Sequence, residues 1–271
     1  MKPFWLVFAL GSAAAVYALG AGETGAATPA ASSDAALTQD AAAEATAEVT
    51  AGTVTGSIVF DGERPDPKPP LNVGAKESEG CMGEVPLEDR SLLISEKGGI
   101  ANVVVSLEAK GYEVKIPEEP IVIDQIACRF EPHVQVVPAG ATLKFTNSDG
   151  TNHNIHTYAK KNQNKNSNVS GGQALETKVE HAEEFETKCD IHSWMNAWVV
   201  VSSDTHYTVT DAEGQFTLAD VPDGAYKLSL WHETLGKGKT AEVEVKKGAV
   251  AKITHKWSAK DDKKGGGRRR R

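Results

Sequence analysis

Two segments of the chain supply side chains that bind soft metal ions. One is the seven-residue segment 189–195, which contains a cysteine, a histidine and a methionine, and the other ends in His153. Three donors on one short loop can converge on one ion, and a histidine from another strand would fix that loop. A thiolate, two imidazoles and a thioether are the donors of a trigonal copper site with a weak axial methionine. The sequence therefore predicts copper with four ligands: His153, Cys189, His192 and Met195.

Other metals and other chemistries fit these residues less well. Zinc is the main rival, but methionine is a poor zinc ligand and the loop holds no third hard donor. A dinuclear copper centre would need a second cysteine in the same loop, and segment 189–195 has one. The sequence contains no recognisable Ser/His/Asp arrangement, phosphate-binding loop or pair of catalytic carboxylates, so we do not expect an enzyme.

The remaining two cysteines are Cys81 and Cys128. In an exported protein an even pair favours a disulfide, which is our prediction. The alternative is that Cys128 and His133, five residues apart, bind a second metal ion. Two donors alone do not make a metal site, so we favour the disulfide.

The charge of the chain is unevenly distributed. It has 29 Lys+Arg and 37 Asp+Glu, for a net charge of −8. Residues 1–20 hold one base and no acid, and residues 256–271 hold eight bases and two acids, which leaves 20 bases and 35 acids between them. An acidic body cannot offer the basic face that phosphate contacts need, so we expect no nucleic-acid partner.

The two ends of the chain are predicted to lie outside the folded body. Residues 1–20 combine Lys2, an apolar run and small residues before a cleavage point, which is typical of a signal peptide. The run is too short for a stable membrane span. Residues 21–51 contain 13 Ala in 31 positions and favour a disordered linker. Residues 259–271 are predicted to be a flexible basic tail. The expected location is the periplasm or the extracellular space.

The body between residues 52 and 258 favours an all-β fold. Apolar residues alternate with polar ones in short runs, and turn residues follow every 8–12 positions. No long apolar pattern with a 3.6-residue period occurs. Short alternating runs separated by frequent turns are typical of sandwiches and barrels. One segment, Lys160–Asn168, is rich in Asn and Lys and is predicted to be an exposed loop.

The pattern T-D-x-x-G-x-F over 210–216, followed by V-P-x-G-x-Y over 221–226, resembles the transthyretin-like or carboxypeptidase-regulatory-like β-sandwich. Such domains begin with G-x-V-x-G-x-V, which segment 52–59 matches. The two parts are about 150 residues apart in the sequence. We therefore predict that 52–111 and 206–258 form one small sandwich, with a second module, 112–205, inserted in it or in tandem with it.

The inserted module resembles the cupredoxins, and its loop is most similar to that of amicyanin. The resemblance depends on C-x-x-H-x-x-M over 189–195, on the N-x-D…HN segment before it, and on the strand pair within 132–154. It implies a Greek-key sandwich with three equatorial copper ligands and one axial ligand, Met195. It also implies that Asn154 joins the two ligand segments by hydrogen bonds.

This resemblance implies an exported mononuclear copper protein that transfers single electrons to a redox protein. The alternatives are an envelope binding or interaction module with a structural or copper-storing cupredoxin half, and an accessory subunit of an oxidase or dehydrogenase. Five further side chains stay outside the predicted site. His156 is expected to be a polar surface residue, and His206 and His232 are expected to make local hydrogen bonds. Two tryptophans could form an apolar rim or pack in the core: Trp194 and Trp198.

Overall fold

The computed structural model describes residues 51–71, 73–74, 78–81, 88–246 and 248–257. The predicted signal peptide, basic tail and all of the linker except Ala51 lie outside the described residues. Within the described ranges every regular element is a strand, so the prediction of an all-β fold is confirmed. The described part contains no helix that is long and apolar enough to cross a membrane.

Eight strands form two sheets that we call the outer sandwich. The first sheet has the order β13-β1-β17 and comprises β1 (Ala51–Phe60), β13 (Gln215–Pro222) and β17 (Val250–Trp257). The second contains β2 (Val104–Leu107), β12 (His206–Val209), β14 (Gly224–His232), β15 (Gly236–Lys237) and β16 (Ala241–Val245). Strand β1 is antiparallel to β13 and parallel to β17, so it lies between two strands from the far end of the chain.

Nine strands form the inner sandwich. One sheet contains β3 (Ile121–Ile126), β4 (Arg129–Glu131), β6 (Thr142–Asn147) and β9 (Ala174–Lys178). The other contains β5 (Val134–Pro138), β7 (His153–Thr157), β8 (Asn166–Val169), β10 (Glu183–Lys188) and β11 (Asn196–Ser202). Strand β8 corrects the sequence prediction of a loop over Lys160–Asn168, because Asn166 to Asn168 pair with β7.

Alternation along the strands produces two separate apolar cores. In the outer sandwich Val54 and Ile58 of β1 pack with Phe216 and Leu218 of β13 and with Trp257. A strand points successive side chains to opposite faces, so the apolar positions of each sheet meet across the sandwich. The inner core is formed in the same way; it includes Ile123, Leu143, Phe145, Ile155 and Val199.

The nine inner strands occur in the sequence between β2 and β12, and these two outer strands pair with each other. His206 of β12 lies opposite Leu107 of β2 in an antiparallel register. The chain thus leaves the outer sandwich and returns to it at adjacent strands. The two sandwiches meet at a small third apolar cluster, formed by Val104, Val134, Val136 and Val200. That residues 52–111 and 206–258 fold only as one domain stays a prediction.

Candidate metal centre

The predicted ligand loop connects β10 to β11, and His153 is the first residue of β7 beside it. Strands β7 and β10 are antiparallel, with Lys188 opposite His156. The end of β10 therefore lies next to the beginning of β7. This arrangement brings segment 189–195 and His153 to the same end of one sheet.

Two backbone hydrogen bonds close the loop. The Cys189 N–H donates to the Met195 carbonyl at 3.2 Å, and the Met195 N–H donates to the His192 carbonyl at 2.9 Å. The loop therefore turns tightly enough to place its three donor residues together. The side chains are buried: Cys189 is 2% exposed, His192 5% and Met195 1%.

Three of the predicted ligand atoms lie within contact distance. His153 Nδ1 is 2.9 Å from His192 Nδ1, and His192 Nδ1 is 3.7 Å from Cys189 Sγ. The two imidazole rings meet edge to face, with centroids 4.8 Å apart. Cys189 is a free thiol. Met195 packs in the same core cluster as Cys189.

Asn154 joins the two ligand segments. Its backbone N–H donates to Cys189 Sγ at 3.3 Å, and its side-chain carbonyl accepts from the Asp190 N–H at 3.3 Å. Its side-chain amide donates to Asn166 Oδ1 at 2.8 Å. The sequence predicted the joining role of Asn154, and these contacts agree with that role.

Asp149 is a buried residue of the site that sequence reasoning missed. One of its carboxylate oxygens accepts from the Ala127 N–H and the other from the Cys128 N–H, both at 2.8 Å. The second oxygen also accepts from His153 Nε2 at 2.8 Å. A proton held at Nε2 leaves Nδ1 as the lone-pair donor that faces His192. Its position in the turn four residues before His153 was the signal that could have identified it.

Asn147 holds the turn that carries Asp149. Its side-chain amide donates to the carbonyls of Thr151 and Val169 at 2.8 and 2.7 Å. Its side-chain oxygen accepts from the Asp149 N–H at 2.9 Å. The turn between β6 and β7 is therefore fixed from both sides, and with it the orientation of the His153 ring.

A second sulfur lies beside the two histidines. Donor atoms of Cys128, His153 and His192 lie within 4.8 Å of one another, and all three residues are buried. Cys128 is joined to Cys81 by a disulfide, the pairing expected from the sequence. A disulfide sulfur carries no thiolate charge, whereas Cys189 is a free thiol.

The alternative of a metal bound by Cys128 and His133 finds no support in the geometry. The Cys128 sulfur is in the disulfide, and His133 Nε2 hydrogen-bonds the carboxylate of Glu233. Glu233 also accepts from the Trp198 indole N–H at 2.9 Å. His133 therefore belongs to a buried contact between the two sandwiches.

The other histidines have local partners. His156 contacts the Asp190 carboxylate at 3.0 Å and stacks on Tyr158. His206 Nε2 hydrogen-bonds the carbonyl of Asp220 at 3.0 Å. Burial lowers the pKa of His232 to about 4, and its Nδ1 accepts from two backbone N–H groups. These contacts agree with leaving the three histidines outside the site.

The two tryptophans have different surroundings. The Trp194 ring lies 5.2 Å from the His192 ring and its indole N–H donates to the Cys128 carbonyl at 3.1 Å. The Trp198 ring lies 5.3 Å from that of Trp231. Trp194 therefore packs on the proposed site, whereas Trp198 packs where the sandwiches meet.

The donor chemistry of this end of the inner sandwich fits copper. A buried free thiol is the soft donor that copper prefers, and two imidazole Nδ1 atoms at 2.9 Å point toward the same space. Hydrogen bonds with Asp149, Asn154 and the loop backbone hold these donors in place.

Comparisons with known proteins give partial likenesses. No protein-family model matches the chain, and no curated protein sequence matches it. Among solved structures, a copper-containing nitrite reductase of Thermus scotoductus SA-01 matches at 20% identity and a TM-score of 0.30, over 35% of this chain and 25% of that one. The chain thus corresponds to about a quarter of the nitrite reductase.

Two smaller proteins match over almost their whole length. A purple cupredoxin of Nitrosopumilus maritimus matches at 25% identity and a TM-score of 0.27, over 30% of this chain and 98% of that one. A reduced amicyanin variant matches at 20% identity and a TM-score of 0.30, over 36% of this chain and 98% of that one. The transthyretin-like resemblance stays a prediction. The function proposed below depends on the site geometry and not on these likenesses.

Proposed function

We propose that the chain binds one copper ion at the end of the inner sandwich and transfers single electrons. The equatorial ligands are His153, Cys189 and His192, and Met195 is the weak axial ligand. The observation that carries this proposal is the convergence of two imidazole Nδ1 atoms and a buried free thiol: 2.9 Å between the nitrogens and 3.7 Å from His192 Nδ1 to the sulfur.

Copper fits this donor set better than zinc does. Zinc sites are usually completed by a further Cys, His or carboxylate, whereas the loop offers the thioether of Met195. Asp149 already accepts from His153 and from two backbone N–H groups, so its carboxylate is engaged as an orienting group. A thiolate and a thioether favour Cu(I), and imidazoles also suit Cu(II).

The chain's own residues prepare the ligands before any ion binds. Asp149 holds the His153 proton at Nε2, which directs the Nδ1 lone pair into the site. The Asn154 N–H donates to Cys189 Sγ and holds the sulfur beside the His192 ring. The loop hydrogen bonds between Cys189, His192 and Met195 keep the three donors in one arrangement. Copper, when bound, supplies the exchange of one electron between its two oxidation states.

These hydrogen bonds support the role of a carrier. Electron transfer is fast when the ligands move little between oxidation states, and fixed loops meet that need. The four proposed ligands are at most 5% exposed, which leaves little room for a substrate at the metal. We therefore propose a redox protein as partner and no catalysis on a bound substrate.

We further propose that the protein is exported and acts in the periplasm or outside the cell. The apolar segment within residues 1–20 after Lys2 supports this location. The Cys81–Cys128 disulfide also supports it, since disulfides persist mainly in oxidising compartments.

Titration of the purified metal-free chain with Cu(II) tests the proposed function. One equivalent should give an intense visible thiolate-to-copper band, and a one-electron reductant should bleach it reversibly. Reoxidation should restore the full band. A chain that binds Cu(II) without a thiolate band, or that binds no copper at one equivalent, would contradict the proposal.

A further inference from the structure

The Cys128 sulfur lies at the proposed copper site, although the disulfide prevents it from acting as a thiolate. It is within 4.8 Å of ring nitrogens of both His153 and His192. Cys128 is 0% exposed and packs in the same apolar cluster as Cys189 and Met195. Two sulfurs therefore lie beside the two imidazoles. That of Cys189 is a free thiol, and that of Cys128 is in the disulfide.

The backbone of Cys128 is held in place by contacts other than the disulfide. Its N–H donates to the Asp149 carboxylate at 2.8 Å, and this carboxylate also orients His153. Its carbonyl accepts from the Trp194 indole N–H at 3.1 Å. Ala127, beside it in the same turn, donates to Asp149 as well. Breaking the disulfide would therefore leave the Cys128 side chain next to the histidines.

Its partner Cys81 is the accessible half of the bond. Cys81 is half-buried, whereas Cys128 is fully buried. Of the two sulfurs, that of Cys81 belongs to the less buried residue, so attack by an external thiolate is expected there, with Cys128 as the leaving thiolate. A metal ion bound by His153 and His192 would stabilise the Cys128 thiolate.

From these contacts we infer that Cys128 is a latent copper ligand, released when the Cys81–Cys128 disulfide is reduced. This inference rests on the proposed function, because it assigns a further ligand to the same site. A dithiol reductant supplies two electrons and two protons: the protein S–S bond breaks, two cysteine thiols form, and the reductant becomes a disulfide. The Cys128 sulfur would then bind Cu(I), with its thiol proton released to solvent.

The added thiolate changes what the site does. With the disulfide intact, one thiolate and two imidazoles suit both oxidation states of copper. With Cys128 released, two thiolates favour Cu(I), because soft donors select the reduced ion. Reduction of the disulfide therefore converts a site that exchanges electrons into one that retains Cu(I).

Two variants of the full chain separate the effect of the new thiolate from the loss of the disulfide. Cys81→Ser leaves the Cys128 thiol free without added reductant, and Cys81→Ser/Cys128→Ser lacks the disulfide and that thiol. Cu(I) affinity is measured by competition with a chromophoric Cu(I) chelator. The single variant should bind Cu(I) at least about tenfold more tightly than the double variant, since loss of a ligand should cost no less than loss of an outer partner. Equal affinities would overturn the inference.

Wild-type protein gives an independent measurement that does not need either variant to fold. After reduction of the disulfide, iodoacetamide labelling is followed by mass spectrometry with and without Cu(I). Bound Cu(I) should slow the alkylation of Cys128 but leave that of Cys81 unchanged. An unchanged Cys128 rate would overturn the inference.

The failure of this inference is distinguishable from failure of the proposed function. The unreduced wild type and the double variant both keep Cys189, so both should give the Cu(II) thiolate band. Suppose that both proteins give the band, but that Cys81→Ser and Cys81→Ser/Cys128→Ser bind Cu(I) equally tightly. Then only the role of Cys128 is wrong. If neither gives the band, the proposed function is wrong.

Discussion

His153 and His232 are both buried at 0% exposure, one in each sandwich, and their ring nitrogens have different partners. His232 Nδ1 accepts from the N–H groups of Thr234 and Leu235. His153 Nδ1 faces another imidazole, and its Nε2 is fixed by the Asp149 carboxylate. The outer sandwich therefore uses a buried histidine as a backbone acceptor, whereas the inner sandwich directs one toward other donors.

The difference shows how a structural histidine and a candidate ligand are distinguished. In the outer sandwich the ring completes the hydrogen bonds of a turn after β14, and burial keeps it neutral. In the inner sandwich a carboxylate sets the tautomer and leaves the other nitrogen directed at His192. Burial alone does not separate the two roles; the partners of Nδ1 do.

The largest expected effect is that of Cys189→Ser. The visible band needs a thiolate bound to copper, so the variant should lose it completely. Cys81→Ser/Cys128→Ser is the matched control, because it removes two sulfurs and keeps Cys189. Absorption spectra after addition of one equivalent of Cu(II) provide the measurement. A full band in Cys189→Ser would show that the thiolate is not the ligand.

Alanine in place of His153 and alanine in place of His232 should have different effects on copper affinity. His153→Ala should lose most copper affinity. His232→Ala should bind copper as the wild type does but lower the free energy of unfolding by about 2–5 kcal/mol, since the buried Leu235 N–H loses its acceptor and a cavity is left. Copper titration and urea unfolding of metal-free protein measure both. Comparable losses of copper affinity in the two variants would contradict the comparison.

Lowering the pH should destabilise the metal-free protein, because the buried His232 resists protonation in the folded state. Burial lowers its pKa to about 4; nearby His133 lowers it as well, while Glu233 and a backbone bond to Ala101 oppose the shift. In the unfolded chain the pKa is about 6.5. The unfolded state therefore binds a proton that the folded state does not, and the loss between pH 6.5 and 4 amounts to roughly 3 kcal/mol.

Urea unfolding at pH 7.5 and pH 4.5 measures this loss in the wild type and in His232→Ala. Other groups also titrate in this range, so the difference between the two proteins is the informative quantity. The wild type should lose more stability than the variant on going to low pH. An identical loss in both would show that His232 does not remain neutral in the fold.

A smaller effect is expected for Asp149→Asn. The amide keeps the shape but provides only one acceptor atom, so the His153 tautomer is less strictly fixed. Copper affinity should fall by about 10–100-fold. Asp124→Asn is the control, because Asp124 on β3 accepts from the Thr146 hydroxyl on β6 and not from His153. An unchanged affinity in Asp149→Asn would remove the orienting role from this carboxylate.

Much of the outer sandwich could be predicted from the sequence because its strands alternate cleanly. Strand β16 reads buried-exposed-buried over Ala241–Val245, and β17 ends at the buried Trp257. Strand β10 of the inner sandwich was harder to predict, since two of its three buried positions are polar, Glu183 and Thr187. Glu183 is buried because its carboxylate accepts from backbone N–H groups in the loop after β7, and no local pattern predicts that.

The candidate site was predictable where donors are close in sequence and not where the fold brings distant groups together. The loop 189–195 contains three donor types in seven residues, which is a specific local signal. The position of Cys128 beside His153 depends on the turn between β3 and β4 packing against the turn between β6 and β7. That contact joins residues 21 apart and is a property of the sandwich, so the sequence predicted the disulfide but not its place.

X-ray absorption at the copper edge of the loaded, unreduced full chain tests the ligand set most directly. The account predicts one short sulfur scatterer, from Cys189, and two imidazole nitrogens, from His153 and His192. The same measurement on Cys189→Ser should show the short sulfur lost while imidazole scattering remains. A wild-type spectrum with nitrogen and oxygen scatterers and no short sulfur would contradict the proposed copper site.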